Sequence, residues 1–204
     1  MNKATMKWRL ALPVAAAVLA LGGCGGSSDN STDAVVSSSG SITACFTAND
    51  VVNFAVEFSG PSSQIPATRS VAGPMIYNGQ VVSGQKLFYP NGNITYTQSN
   101  YWTVTSSGVT MIASVDYNGV ATTDDMFLPQ NMNFEQTAVN STNDVDTFVG
   151  FESITLAGKI FANTCHIRQV DSSGAQADSW YAPGYGMIKD SVSSGVTWQY
   201  NGDL

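Results

Sequence analysis

His166 is the only histidine of the chain, and it decides whether hydrolase chemistry is available. A serine nucleophile needs a general base within hydrogen-bond reach, and histidine commonly fills that role. The sequence contains no Gly-x-Ser-x-Gly motif, and its serines cluster in short polar stretches that are typical of turns. We therefore predict an exposed strand position for His166 and no catalytic residue.

Acidic residues offer two other chemistries, glycoside hydrolysis and metal binding. Glu57, Glu135 and Glu152 could supply a pair of carboxylates, but the sequence does not fix the distance between them. Oxygen ligands alternate between positions 140 and 146, yet the glycine and the terminal glutamate of an EF-hand loop are missing, which favours a solvated loop. We predict no metal, no cofactor and no enzymatic activity. The residues of the calcium alternative are Asn140, Thr142, Asp144, Asp146, Asp124 and Asp125.

Aromatic residues are the remaining lead to a binding function. Tyrosine and tryptophan recur from Tyr89 to Tyr200 and could line a groove for a glycan or a lipid, because their rings combine an apolar body with a polar tip. Sheets recruit aromatic residues in any case, so most of them are expected in the core or covering a strand. The candidate ligand-binding residues are Trp102, Trp180, Tyr181 and Tyr185.

Residues 1–23 have the layout of an export signal. Met1 to Arg9 is basic without an acidic residue, and Leu10 to Gly23 is apolar. This apolar run is too short to cross the hydrocarbon layer of a bilayer, which takes about 20 apolar residues. The segment is therefore predicted to direct export rather than to span the membrane.

The run Leu21-Gly22-Gly23-Cys24 resembles the lipobox of bacterial lipoproteins. The resemblance implies cleavage before Cys24 and acylation, for example with palmitate, of its thiol and of the new N-terminus. Several acyl chains anchor a protein firmly, since each buried methylene contributes about 0.8 kcal/mol. Gly25 stands where lipoproteins of the inner membrane carry Asp, so the implied location is the outer membrane, on its periplasmic face or at the cell surface. The alternative is an ordinary secretory signal with a free Cys24.

Cys45 and Cys165 are the two other cysteines. Export places them in an oxidising compartment, where such a pair usually forms a disulfide. Closing a loop of about 120 residues would remove chain entropy worth about 4 to 5 kcal/mol. Two buried thiols are the alternative.

Composition limits the partners and the domain organisation. Without residues 1–23, five basic residues face 15 acidic ones, and the net charge is −10. Such a surface repels phosphate backbones and anionic headgroups, so nucleic acid is excluded and the acyl anchor must hold the protein to the membrane. We predict a lipidated cysteine with a flexible linker over 24–42 and a single β-rich domain over 43–204.

Short runs of alternating polar and apolar residues, separated by turn signals, predict strands. Asn118-Gly119 is a hairpin signal, and Lys159 to Val170 places Cys165 inward and His166 outward. Val51 to Phe58 fits a strand or a helix. The predicted fold is all-β with at most one short helix, a twisted antiparallel meander that forms an open half-barrel or a small barrel.

Two motifs lie between Ile154 and Lys189. They are Ala157-Gly158-x-x-Phe161 and Trp180-Tyr181-Ala182-Pro183-Gly184-x-Gly186. This block resembles the C-terminal part of a family of uncharacterised envelope lipoproteins, which are similar in outline to the periplasmic lipoprotein carriers. The resemblance implies a curved antiparallel sheet around an apolar cavity. Taken by themselves, proline and glycine at these positions indicate a tight turn.

Three functional hypotheses remain. The first is a non-enzymatic, lipid-anchored envelope protein that binds a lipid, an acyl chain or a protein partner in an apolar concavity. The second is a surface module that binds glycans or an adhesin partner through exposed tryptophan and tyrosine. The third is a hydrolase that uses two carboxylates in one cleft.

Overall fold

The structure is a computed structural model that describes residues 40–59, 65–91 and 94–204. The predicted signal, the lipidated Cys24 and most of the linker lie outside these residues. The elements are α1 (Ile42–Phe46), β1 (Val52–Ser59), β2 (Ile65–Tyr77), β3 (Gln80–Asn91), β4 (Ile94–Thr105), β5 (Gly108–Val115), β6 (Ala121–Thr123), β7 (Phe127–Pro129), β8 (Thr137–Val139), β9 (Val145–Leu156), β10 (Lys159–Val170), β11 (Gln176–Ala182), β12 (Gly186–Val192) and β13 (Thr197–Asp203).

The thirteen strands of the described residues form one antiparallel sheet. Its order is β6-β5-β4-β3-β2-β1-β13-β12-β11-β10-β9-β8, and β7 pairs with β5. Two meanders, β1 to β6 and β8 to β13, are thus joined where the first strand pairs with the last. The predicted all-β antiparallel meander is confirmed, and of the two predicted shapes the sheet takes the open one.

The β9–β10 hairpin shows how the sequence sets the strand faces. Ala157 and Gly158 have φ angles of 47° and 78° and reverse the chain, so that Leu156 pairs with Lys159. Left-handed backbone at both central residues matches the twist of the two strands. Cys165 and Ile167 then face the core while His166 faces outward, as the alternation predicts.

The β2–β3 hairpin is absent from the sequence-based prediction. Its turn is Asn78-Gly79, with φ angles of 47° and 77°, which is the signal for a two-residue hairpin. Pro66, Gly73 and Pro74 obscure the strand before it, because proline and glycine weaken a strand pattern. A β-bulge between Ala72 and Met75 accommodates the irregular stretch.

Helix α1 lies inside the curve of the sheet. Its residues Ile42 and Phe46 are buried in one cluster with Trp102 of the first meander and Tyr181 of the second. The Phe46 ring stacks on Tyr181 at 4.4 Å and meets Trp102 edge to face at 5.7 Å. Both halves of the sheet therefore close on the same short helix. No helix within the described ranges has the length and apolar character needed to cross a membrane.

A disulfide fixes this helix to the sheet. Cys45 of α1 is bonded to Cys165 of β10, and their Cα atoms are 6.1 Å apart. Trp102 donates a hydrogen bond from Nε1 to the Phe46 carbonyl oxygen at 2.5 Å, and the Ile42 amide donates to the Gln130 carbonyl at 3.4 Å. The predicted bridge is thus present, and it holds an element that the sequence analysis assigned partly to the linker.

Candidate functional site

The four predicted ligand-binding aromatic residues do not share one surface. Trp102 and Tyr181 belong to the core around Phe46, and the Trp102 side chain has no exposed area. Burial raises the pKa of the Tyr181 hydroxyl, as expected for a group removed from water. Neither residue offers a ring face to a ligand. Trp180 and Tyr185 are partly exposed, and each has its own set of polar and aromatic neighbours.

Trp180 lies on the outer face of β11 between two neighbouring strands. The His166 ring of β10 stacks on it at 4.3 Å, and the Lys189 ammonium of β12 lies 4.4 Å from its centroid. Because β10 and β12 flank β11, these groups cover opposite ring faces. Its indole N–H donates to Glu152. A sugar that stacks on aromatic rings would find no free face on Trp180.

His166 has a carboxylate at each ring nitrogen. Nδ1 is 3.2 Å from Glu152 and Nε2 is 2.9 Å from Asp178, and the side chain is only 14% exposed. The hydrogen bond with His166 lowers the pKa of Glu152. The pKa of Asp178 is also lowered, because its bonds with His166, Gln176 and Arg168 outweigh the effect of burial. With both nitrogens engaged, the ring has no atom left to activate a serine nucleophile. The residue is thus more enclosed than predicted.

Tyr185 belongs to a cluster at the end of the second meander. The Lys159 ammonium lies 4.3 Å from the Tyr185 centroid, bonds the Tyr185 hydroxyl and pairs with Asp203 at 2.6 Å. The rings of Phe161 and Tyr200 also face this ammonium, at 5.7 and 5.6 Å. Burial opposes the charge of Lys159, but the bonds with Asp203 and Tyr185 raise its pKa overall. This aromatic cage is therefore filled by the protein's own cation.

The interior of the curved sheet contains a buried polar cluster. Arg69 donates from Nη1 to the Met187 carbonyl at 2.6 Å, and its Nε and Nη2 have no hydrogen-bond partner. Burial lowers its pKa to about 10, so it stays charged at neutral pH. Asp190 is also buried, accepts a hydrogen bond from Ser179 at 2.8 Å, and has its pKa raised by burial. The concave side therefore differs from the uniformly apolar cavity that the lipoprotein resemblance implies.

The carboxylates of the hydrolase hypothesis lie on separate elements. Glu57 is on β1, Glu152 is on β9 and Glu135 is in the connection between β7 and β8. Four strands separate β1 from β9 in the sheet, and neighbouring strands are about 4.8 Å apart. Glu152 is in addition occupied by His166 and Trp180. The structure does not bring these carboxylates into one cleft.

The oxygen-rich turn of the calcium alternative is held by its own hydrogen bonds. The Thr142 hydroxyl oxygen lies 2.8 Å from Asn140 Oδ1 and 2.6 Å from Asp144 Oδ2, and its single proton bonds one of these two acceptors. Asp144 also accepts the Ser172 amide, and Asp125 accepts the Ser141 amide. This bond with Ser141 lowers the pKa of Asp125. In the part of the chain that the structure describes, no group of acidic, histidine or cysteine residues is arranged to hold a metal ion.

A shallow depression lies at the C-terminal end of α1. Its volume is about 250 Å³, and it opens between the residues that follow the helix and the β2–β3 hairpin. Ile76 and Val81, which are 69% and 64% exposed, form a cross-strand pair beside it. Directly paired residues point to the same face of a sheet, so both apolar side chains stand on the rim. The lining residues are Thr47, Ala48, Asn49, Pro74, Val81, Val82, Ser83 and Val104.

Sequence reasoning missed every residue of this depression. Ile76 and Val81 flank Asn78-Gly79, so the hairpin signal that located β5 and β6 would also have located them. Two adjacent exposed aliphatic side chains at a hairpin tip are a surface feature that becomes recognisable once the hairpin is known. Arg69 gave no comparable signal, because an isolated arginine in a strand is usually exposed.

Comparison with known proteins gives little further guidance. No family model matches the sequence, and no curated protein matches it. A crystal structure from Bacteroides fragilis, of a protein described as exported and as having a YmcC-like fold, aligns with 78% of this chain and 96% of that chain. The two share 9% sequence identity, and the TM-score is 0.46. A likeness of this size carries no conclusion about function.

Proposed function

We propose that this protein is exported, is anchored through acylated Cys24 to the outer membrane of a bacterial cell envelope, and binds an apolar group without catalysis. The lipobox-like run before Cys24 supports the anchor. The Cys45–Cys165 disulfide supports export, because such bonds persist in oxidising compartments.

The observation that carries the binding proposal is the depression with its exposed rim. Adjacent exposed aliphatic residues beside a concave surface are typical of an interaction site. Pockets for drug-sized ligands measure about 300 to 1,000 Å³. The smaller volume of about 250 Å³ suits one large apolar side chain of a protein partner or the end of an acyl chain.

Cross-linking in living cells tests this site. A photoreactive amino acid in place of Val81 should capture a protein or a lipid, whereas the same group in place of Ile160 should not. Ile160 is the matched control because it is an aliphatic residue that is 70% exposed in a different hairpin. Mass spectrometry of the adduct distinguishes a protein from a lipid.

A second variant tests whether the captured group enters the depression. Ile76→Asp should lower the cross-linking yield at position 81 at least about tenfold, because an apolar partner would then have to desolvate a carboxylate. Equal yields at positions 81 and 160, or a yield unaffected by Ile76→Asp, would contradict the proposed site.

The anchor makes a separate prediction. Cys24→Ser should abolish the incorporation of an alkyne-labelled fatty acid and release the protein from the membrane fraction, because the thiol that accepts the acyl chain is gone. A variant in which Cys45 and Cys165 are both serine should keep the label. Label that persists in Cys24→Ser would show that the anchor lies elsewhere or does not exist.

A further inference from the structure

Three apolar side chains are exposed near the place where the N-terminal segment joins the domain. They are Phe127 of β7, Phe134 of the 130–136 connection and Val139 of β8, which we call the tether-side surface. Phe134 is the most exposed of them, at 63%. β7 and β8 lie against each other, and exposed apolar side chains that are grouped rather than scattered singly mark interaction surfaces.

Contacts of the backbone place Phe134 close to the entry of the N-terminal segment. Ile42 bonds Gln130 at one end of the connection, and Glu135 donates to the Phe148 carbonyl at 2.8 Å at its other end. The Phe148 ring lies 4.8 Å from the Phe151 ring, and a β-carbon on Gly40 would be 2.6 Å from that same Phe151 ring. Gly40 and the 130–136 connection therefore both contact the Phe148–Phe151 part of β9.

We propose that the tether-side surface rests on the lipid bilayer when Cys24 is acylated. This inference depends on the proposed anchor. Cys24 precedes Gly40 by 16 residues, so the chain between them spans at most about 55 Å even when fully extended. A domain confined this close to the bilayer meets it often, and an exposed apolar face that touches the bilayer is retained there by the burial of its side chains.

The negative charge near the exposed rings determines which kind of bilayer the tether-side surface contacts. Glu135 is exposed next to Phe134, and Asp124 and Asp125 lie just before β7. The net charge of the chain without its signal is −10. Carboxylates beside the rings repel anionic headgroups, so the contact is with a zwitterionic surface and is driven by the apolar side chains.

A single environment-sensitive label tests the inference on the full acylated protein. Cys45 and Cys165 are bonded to each other and Cys24 carries the lipid, so Phe134→Cys adds the one free thiol for a nitrobenzoxadiazole label. Bound to phosphatidylcholine vesicles, this label should brighten at least about twofold and be quenched by spin-labelled lipid, because it leaves water. Ile160→Cys, at a site of similar exposure, should show neither change.

The outcomes distinguish a failure of the proposed anchor from a failure of the proposed tether-side surface. Protein that floats with the vesicles while the label at position 134 behaves like the label at position 160 overturns the tether-side surface and leaves the anchor intact. Protein that does not float overturns both. In vesicles rich in phosphatidylglycerol the protein should stay anchored while the brightening at position 134 falls, and an increase there would overturn the role assigned to charge.

Discussion

A chain in which Cys45 and Cys165 are both replaced by alanine is expected to lose about 4 to 5 kcal/mol of unfolding free energy. The bridge spans 120 positions, and closing a loop of that length removes about this much conformational entropy from the unfolded state. Urea denaturation followed by tryptophan fluorescence measures the loss. Small domains have a total stability of about 5 to 15 kcal/mol, so the variant is expected to be marginal or unfolded at 37 °C.

The single variants and a reductant provide the controls for the disulfide. Cys45→Ala and Cys165→Ala should each lose about as much unfolding free energy as the double variant, because either change removes the bridge. Reduction of the parent protein should reproduce the loss, and reduction of the double variant should change nothing. A loss below about 1 kcal/mol would mean that the unfolded chain is already compact without the bridge.

Local patterns account for much of the fold. The bounds of β10 were predicted as they stand, because the segment lies between clear turn signals, but a bulge between Phe161 and Thr164 breaks its alternation and leaves Thr164 buried beside Cys165. β6 follows the Asn118-Gly119 hairpin signal and pairs with β5, and β7 also pairs with β5. The ambiguous stretch after Asp50 is a strand, since it pairs with β2 on one side and β13 on the other. The sequence of the segment does not show which strands it pairs with, and this pairing decides between strand and helix.

Non-local contacts account for what could not be predicted. The five residues of α1 are too few to show a helical period, and its stability comes from Trp102, Tyr181 and Cys165, which lie far along the chain. The burial of Arg69 depends in the same way on strands that meet only in the folded sheet. Neighbouring residues of a strand point to opposite faces, as Trp180 and Tyr181 do, but only the structure shows that His166 and Lys189 cover Trp180.

The second large loss of unfolding free energy is expected when the Phe46 ring, which contacts both meanders, is removed. Phe46→Ala should cost about 3 to 5 kcal/mol of unfolding free energy, because the side chain is almost fully buried and its loss leaves a cavity between Trp102 and Tyr181. The same denaturation experiment measures it. Phe134→Ala is the matched control: it removes an exposed ring and should change the free energy by no more than about 0.5 kcal/mol.

Combining Phe46→Ala with removal of the disulfide tests whether α1 docks as one unit. Both changes weaken the attachment of the same helix, and residues that share an element couple rather than add. Once one change has released α1 from the sheet, the other has less left to disrupt, so the combined loss should be smaller than the sum of the two separate losses. Strict additivity would contradict this, because it would mean that the disulfide and the Phe46 ring stabilise the two meanders independently.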